Sequence, residues 1–107
     1  MQHPQLTEIL DQLQAYLKNL YSERLERLML FGSRAHQEAE PDSDIDVMVV
    51  LKGEIDPWIE IERTGEFISD LCLTYSVVIC NVFVSASRYQ SQGNALIRNV
   101  YQEGGPL

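Results

Sequence analysis

Apolar residues first recur along the chain at three- and four-residue steps: Leu6, Ile9, Leu10, Leu13, Leu17 and Leu20. That spacing lays one apolar stripe along a helix and predicts a single amphipathic helix over the first twenty residues. The pattern changes after a polar joint at Arg24 to Arg27. Leu28, Met29, Leu30 and Phe31 form an unbroken apolar run that stops at Gly32, as a short buried strand does where it enters a tight turn. Residues 34–43 are polar, and Pro41, Asp42 and Ser43 mark a turn. Ile45, Val47, Val49 and Leu51 then alternate with Asp44, Asp46, Met48 and Val50 up to the stop at Lys52-Gly53, which predicts a strand rich in β-branched residues.

Asp56 and Pro57 open a helix as N-cap and first helical residue. Trp58, Ile61, Gly65, Ile68, Cys72 and Tyr75 form its expected inner stripe, with Gly65 allowing close approach of another backbone. A third strand is expected from Val77 to Val84, interrupted by Asn81. Ser85 or Ser87 can cap a short helical segment after it. Asn94 to Gln102 reads as a last helix, stopped by Gly104-Gly105-Pro106. The fold class is therefore α/β or α+β: a small sheet of three or four strands covered by helices, with residues 1–107 as one domain.

Composition narrows the function classes. The 8 basic and 16 acidic residues give a net charge of -8, which repels a phosphate backbone and argues against direct nucleic-acid binding. The same charge suits a partner with a basic face, or a polyanionic substrate that arrives with its own divalent metal. No apolar run approaches the roughly 18 residues that cross a bilayer, so no membrane partner is expected, and a cytoplasmic protein is the default. Cys72 and Cys80 match no zinc spacing and read as buried thiols.

The acidic residues are concentrated between Glu38 and Asp46. Glu38 and Glu40 read as solvated loop charges, but Asp44 and Asp46 have strand register. Period-2 geometry puts both on one face, roughly 7 Å apart along the strand. Two carboxylates held so at the mouth of a buried strand repel each other and are poorly solvated. Mg²⁺ removes that penalty, since it takes one or two protein carboxylates together with substrate phosphates. Gly32 allows close backbone approach to a ligand. Ser33 and neighbouring N–H groups can donate to β- and γ-phosphates, and Arg34 can add a guanidinium contact. A phosphate cradle and metal carboxylates on neighbouring strands are the minimum for metal-assisted nucleotidyl transfer with one or two ions.

The stretches Leu30-Phe31-Gly32-Ser33-Arg34-Ala35 and Pro41-Asp42-Ser43-Asp44-Ile45-Asp46-Val47 resemble the signature of the DNA polymerase β superfamily of nucleotidyltransferases. The chain's length, and the ending Arg98-Asn99-Val100-Tyr101-Gln102-Glu103-Gly104, resemble the minimal nucleotidyltransferases within it. The resemblance implies a nucleotidyltransferase fold, catalytic and metal-binding roles for Asp44 and Asp46, and nucleotide contacts from Gly32, Ser33 and Arg34. It further implies an antitoxin whose partner is an all-helical HEPN-domain ribonuclease toxin. The expected reaction moves AMP from Mg-ATP to a tyrosine hydroxyl of that toxin, within a homo- or hetero-oligomer.

Two positions depart from the family's pattern. Active members usually add a third carboxylate on the third strand, and alignment of the run Tyr75 to Val82 puts Ser76 there, with Asn81 a poorer match. A hydroxyl binds Mg²⁺ far more weakly than a carboxylate does. His36 stands where relatives often carry arginine, and reads as a solvent-exposed loop histidine. Two alternatives follow. A catalytically degenerate antitoxin would neutralise its partner by binding alone. Alternatively, a nucleotidyltransferase would act on a small hydroxylated molecule such as an aminoglycoside.

Overall fold

A computed structural model describes residues 5–31 and 44–107. Helix α1 (Leu6–Tyr21) passes through a 3₁₀ turn (Ser22–Arg24) into strand β1 (Leu25–Phe31). Strand β2 (Ile45–Leu51) leads to helix α2 (Pro57–Tyr75) and strand β3 (Ile79–Ser85). Helices α3 (Ala86–Ser91) and α4 (Ala95–Glu103) precede the two-residue strand β4 (Gly105–Pro106). The sheet order is β3-β2-β1-β4. β1 is antiparallel to both β2 and β4, whereas β2 and β3 are parallel, with α2 as the crossover between them.

Alternation along the strands divides the core in two. Ile45, Val47, Val49 and Leu51 face a layer formed by α1 and α2, together with Leu28, Ile79 and Phe83. Met48 and Val50 face the other layer, where Tyr89 of α3 and Ile97 and Val100 of α4 pack on Met29 and Val84. β2 is thus buried on both faces, which explains its nearly continuous apolar sequence.

Capping follows the sequence closely. The Asp56 carboxylate accepts the Trp58 N–H at 3.0 Å with Pro57 in the first turn, and Asn94 and Ser85 cap α4 and α3. β1 begins three residues earlier than the apolar run suggested, because Leu25 to Arg27 pair with the far end of β2 across a bulge. Gly104 does more than stop α4. It lets the chain turn back onto β1, where an added Cβ would lie 2.7 Å from the Val100 carbonyl and 3.2 Å from that of Leu30. The chain end then pairs with Met29 and Leu30 as β4.

The inner stripe of α2 differs from expectation in its first half, while Ile68, Cys72 and Tyr75 pack against the core as expected. Glu60, Thr64 and Leu71 are its buried residues, while Trp58 is 75% and Ile61 46% exposed. Gly65 has nothing within 4 Å of the place its Cβ would occupy, so no neighbouring backbone approaches it. The reason is a polar contact invisible to hydrophobic periodicity. The Tyr21 hydroxyl donates to Glu60 Oε1 at 2.6 Å, and Arg63 lies 3.6 Å from the same oxygen. Thr64 returns its own hydroxyl to the Glu60 carbonyl at 2.9 Å. A buried carboxylate is tolerable only when so paired, and the pairing rotates α2 toward its polar side.

Burial raises the Tyr21 phenol far above its ordinary value of 10.0, and the hydrogen bond to Glu60 and that residue's charge raise it further. Because the folded value exceeds the unfolded one, this contribution is complete below pH 10 and is lost as pH rises toward the folded value. Tyr21→Phe should cost about 2 kcal/mol in denaturant unfolding at neutral pH by leaving the carboxylate without its donor. The variant should also lose less stability than wild type above pH 10. Equal midpoints for wild type and variant at pH 7 would show that the bond contributes nothing.

Candidate functional site

Asp44 directly precedes β2 and Asp46 is its second residue, so both share the face of Met48 and Val50. The cover provided by α3 and α4 thins at this end: Asp44 is exposed and Asp46 half-buried. Across the sheet, Asp46 is paired with Phe31 of β1 on one side and Cys80 of β3 on the other. Burial between these neighbours raises the Asp46 carboxyl above its ordinary value, and the negative field of Asp44 raises it further. Neither acid forms an ion pair with a basic side chain among the described residues.

Among the described residues the charge of this pair is uncompensated; a hard divalent cation would relieve it, and its oxygen donors suit Mg²⁺. Among the described residues no group of three or more His, Cys, Asp or Glu side chains could hold a metal. Two carboxylates match a cation that takes its other ligands from phosphates and water. Gly32, Ser33 and Arg34 lie outside the described residues, as does His36. β1 nevertheless delivers Phe31, the residue before Gly32 in the chain, to a position paired with Asp46.

Ser76 does not stand on the third strand. α2 continues to Tyr75, and Ser76 is its C-cap in the left-handed region, with φ 55 and ψ 48. The strand begins at Ile79, after the Ile45 N–H donates to the Val78 carbonyl at 2.8 Å. Parallel register then sets Cys80 beside Asp46. Asn81 has the opposite parity and turns toward α1 and α2, where its amide atoms are buried with no hydrogen-bond partner among the described residues.

Cys80 is exposed rather than buried, and Cys72 is half-buried. Burial raises the Cys80 thiol above its ordinary value, as do the charges of Asp46 and Asp44. A thiol held protonated is a poor ligand for a hard cation. The third strand therefore presents a neutral group to the two carboxylates. Counting alternate residues back from Val84 and Val82 reaches Cys80, a signal that the alignment putting Ser76 at this position passed over.

A family model described as "Polymerase beta, Nucleotidyltransferase" matches residues 11–106. A protein of Methanocaldococcus jannaschii, named as a candidate protein adenylyltransferase, is 33% identical over 96 residues, spanning 85% of this chain and 86% of that protein. A second protein of that organism and of the same description is 27% identical over 75 residues, covering 70% and 75%. Among solved structures, a candidate nucleotidyltransferase from Sulfolobus solfataricus superposes with a TM-score of 0.58 at 20% identity, over 92% of this chain and 72% of that one. A toxin–antitoxin structure with AMP-PNP gives 0.62 at 20% identity, over 90% and 70%. At these identities the structural matches bear on the fold, which they share with this chain.

The raised Asp46 carboxyl carries a prediction with a definite sign. Its contribution to stability is complete below the unfolded value near 3.8 and is lost as pH rises through the folded value. In metal-free buffer at pH 7, Asp46→Asn should therefore melt a few degrees above wild type, and the two should converge at acid pH. Mg²⁺ should narrow the difference by stabilising wild type. A variant that melts below wild type under metal-free conditions at pH 7 would contradict the uncompensated pair.

Proposed function

The chain belongs to the polymerase β nucleotidyltransferase family, and on that premise we propose that it transfers AMP from Mg-ATP to a tyrosine hydroxyl of a HEPN-domain ribonuclease toxin, neutralising it as a cytoplasmic antitoxin. The observation that carries this reading is the pair Asp44 and Asp46 at the mouth of β2, without an ion-pair partner among the described residues and beside the strand that leads into Gly32-Ser33-Arg34.

In the proposed reaction the acceptor oxygen bonds to the α-phosphorus of ATP, the bond to the bridging oxygen breaks, and pyrophosphate leaves. The hydroxyl proton passes to solvent. Mg²⁺, when bound, neutralises phosphate charge and polarises the phosphoryl group under attack. Asp44 and Asp46 would hold it, while Gly32, Ser33 and Arg34 would cradle the polyphosphate. The Methanocaldococcus relatives, both named as candidate protein adenylyltransferases, support a protein acceptor. So does the toxin–antitoxin assembly whose fold the chain shares. The net charge of -8 suits a partner with a basic face. The exposed Trp58 and Leu73 of α2 give such a partner apolar area to cover.

Labelled ATP, Mg²⁺ and the protein encoded beside this one should yield a labelled partner, and Asp44→Asn combined with Asp46→Asn should abolish labelling. Equal labelling by wild type and double variant would overturn the mechanism.

One observation favours a second reading. Cys80 places a neutral thiol beside Asp46, which would slow or end turnover and leave an antitoxin that acts by binding. Cys80→Asp should then raise transfer on the order of 10- to 100-fold, the range by which changes around a metal's ligands move activity. Ser76→Asp, made at the helix cap, should not. Neutralisation that persists without ATP in the Asp44/Asp46 double variant would favour binding alone.

A further inference from the structure

A cavity of about 730 Å³ opens at the other end of the same two parallel strands, where β2 and β3 finish. That volume falls within the range of small-molecule sites. From Asp46 to Lys52 the strand advances roughly 20 Å, so the cavity is separate from the carboxylate end. Its floor is apolar, built from the buried Phe83 and the half-buried Ile55. Its polar lining includes Lys52, Arg88, Ser85 and Ser87.

In a chain with 8 basic residues against 16 acidic, two basic residues in the lining of one cavity are a local reversal of charge. Neither has an ion-pair partner among the described residues. The backbone sets both residues at the rim: Gly53 turns the chain after Lys52 with φ +81, and the Arg88 backbone N–H donates to Ser85 Oγ at 3.3 Å. Ser85 and Ser87 hydroxyls lie 3.3 Å apart, which leaves donor capacity for a ligand. Glu54 also lines the cavity and opposes an anion, but one exposed acid stands against two cations.

We infer that this cavity binds a small phosphate monoester with an apolar body: the cations and serine hydroxyls take the phosphate, and Phe83 and Ile55 take the body. Charge and hydroxyls together favour a dianion, for which a guanidinium and an ammonium give charge-assisted hydrogen bonds. The apolar floor disfavours free inorganic phosphate relative to an ester. Nothing in this inference depends on the nucleotidyl-transfer reading.

Titration calorimetry of the full chain with phenyl phosphate, in metal-free buffer, should show saturable one-to-one binding, tighter than inorganic phosphate and absent for neutral benzyl alcohol. Lys52→Gln and Arg88→Gln should each weaken it about tenfold, the cost of one charge-assisted hydrogen bond. Asp44→Asn with Asp46→Asn should leave it unchanged, and amide resonances of Gly53 and Ser87 should shift in the wild type. No saturable binding, undiminished binding to the Lys52 and Arg88 variants, or shifts confined to the region of Asp46 and Cys80 would each overturn the inference. Because the resonance shifts are read on wild type, the test survives a variant that fails to fold. Phenyl phosphate binding that ATP displaces equally in wild type and in the Asp44/Asp46 double variant would identify a nucleotide as the source of the phosphate. Indifference to ATP would identify a different phosphate ester.

Discussion

A strand covered on both faces cannot carry charge along its length, because each buried charge would need a partner that two apolar layers do not supply. β2 is such a strand: from Val47 to Leu51 every side chain is fully buried. Polar chemistry is thereby confined to its ends. At the first end Asp44 and Asp46 emerge where α3 and α4 no longer cover them. At the second Lys52 emerges beside the finish of β3. The arrangement of the rest follows from sealing this strand, with α1 and α2 on one face and α3 and α4 on the other.

Sealing also required a polar contact between the two helices of one layer. α1 and α2 meet through the Tyr21 hydroxyl and the Glu60 carboxylate, and Tyr16 stacks on Phe67 with ring centroids 3.8 Å apart. A hydrogen bond to a charged group contributes more than a neutral one, and its directionality fixes the rotation of α2 about its axis. That rotation sends Trp58, Ile61 and Leu73 to the surface. It also brings the C-cap at Ser76 to the point from which β3 must start.

Much of this was legible in the residues. The periodicity of α1, the alternation of β2, the Asp56-Pro57 start of α2 and the Asn94 start of α4 all follow local rules, and the structure has each in place. What local rules missed were choices made by distant partners. No pattern within α2 signals that Glu60 will be inside, because its partner Tyr21 lies 39 residues away. Alignment with the family puts Ser76 at the third-carboxylate position, yet the helix continues to Tyr75 and a left-handed cap uses Ser76 to reverse the chain. The strand starts at Ile79, two residues beyond the expected Val77, and the side chain beside the carboxylates lies four positions beyond Ser76. Cys80 stands where the alignment puts a serine.

That replacement bears on chemistry in a way serine would not. A thiol is softer than a hydroxyl and becomes a strong ligand once ionised, but the two carboxylates nearby oppose its ionisation. The charges that attract a divalent cation also keep Cys80 protonated while the site is empty. A cation on Asp44 and Asp46 would relieve that field, but desolvation, the larger cause, would still hold the thiol above its ordinary value. The third position is therefore a neutral thiol whether or not the first two are occupied. A fixed carboxylate would instead add its own repulsion to a pair that already raises Asp46. Cys80 thus trades a permanent ligand for a smaller electrostatic load on the metal-free fold, at the one end of β2 where that load is concentrated.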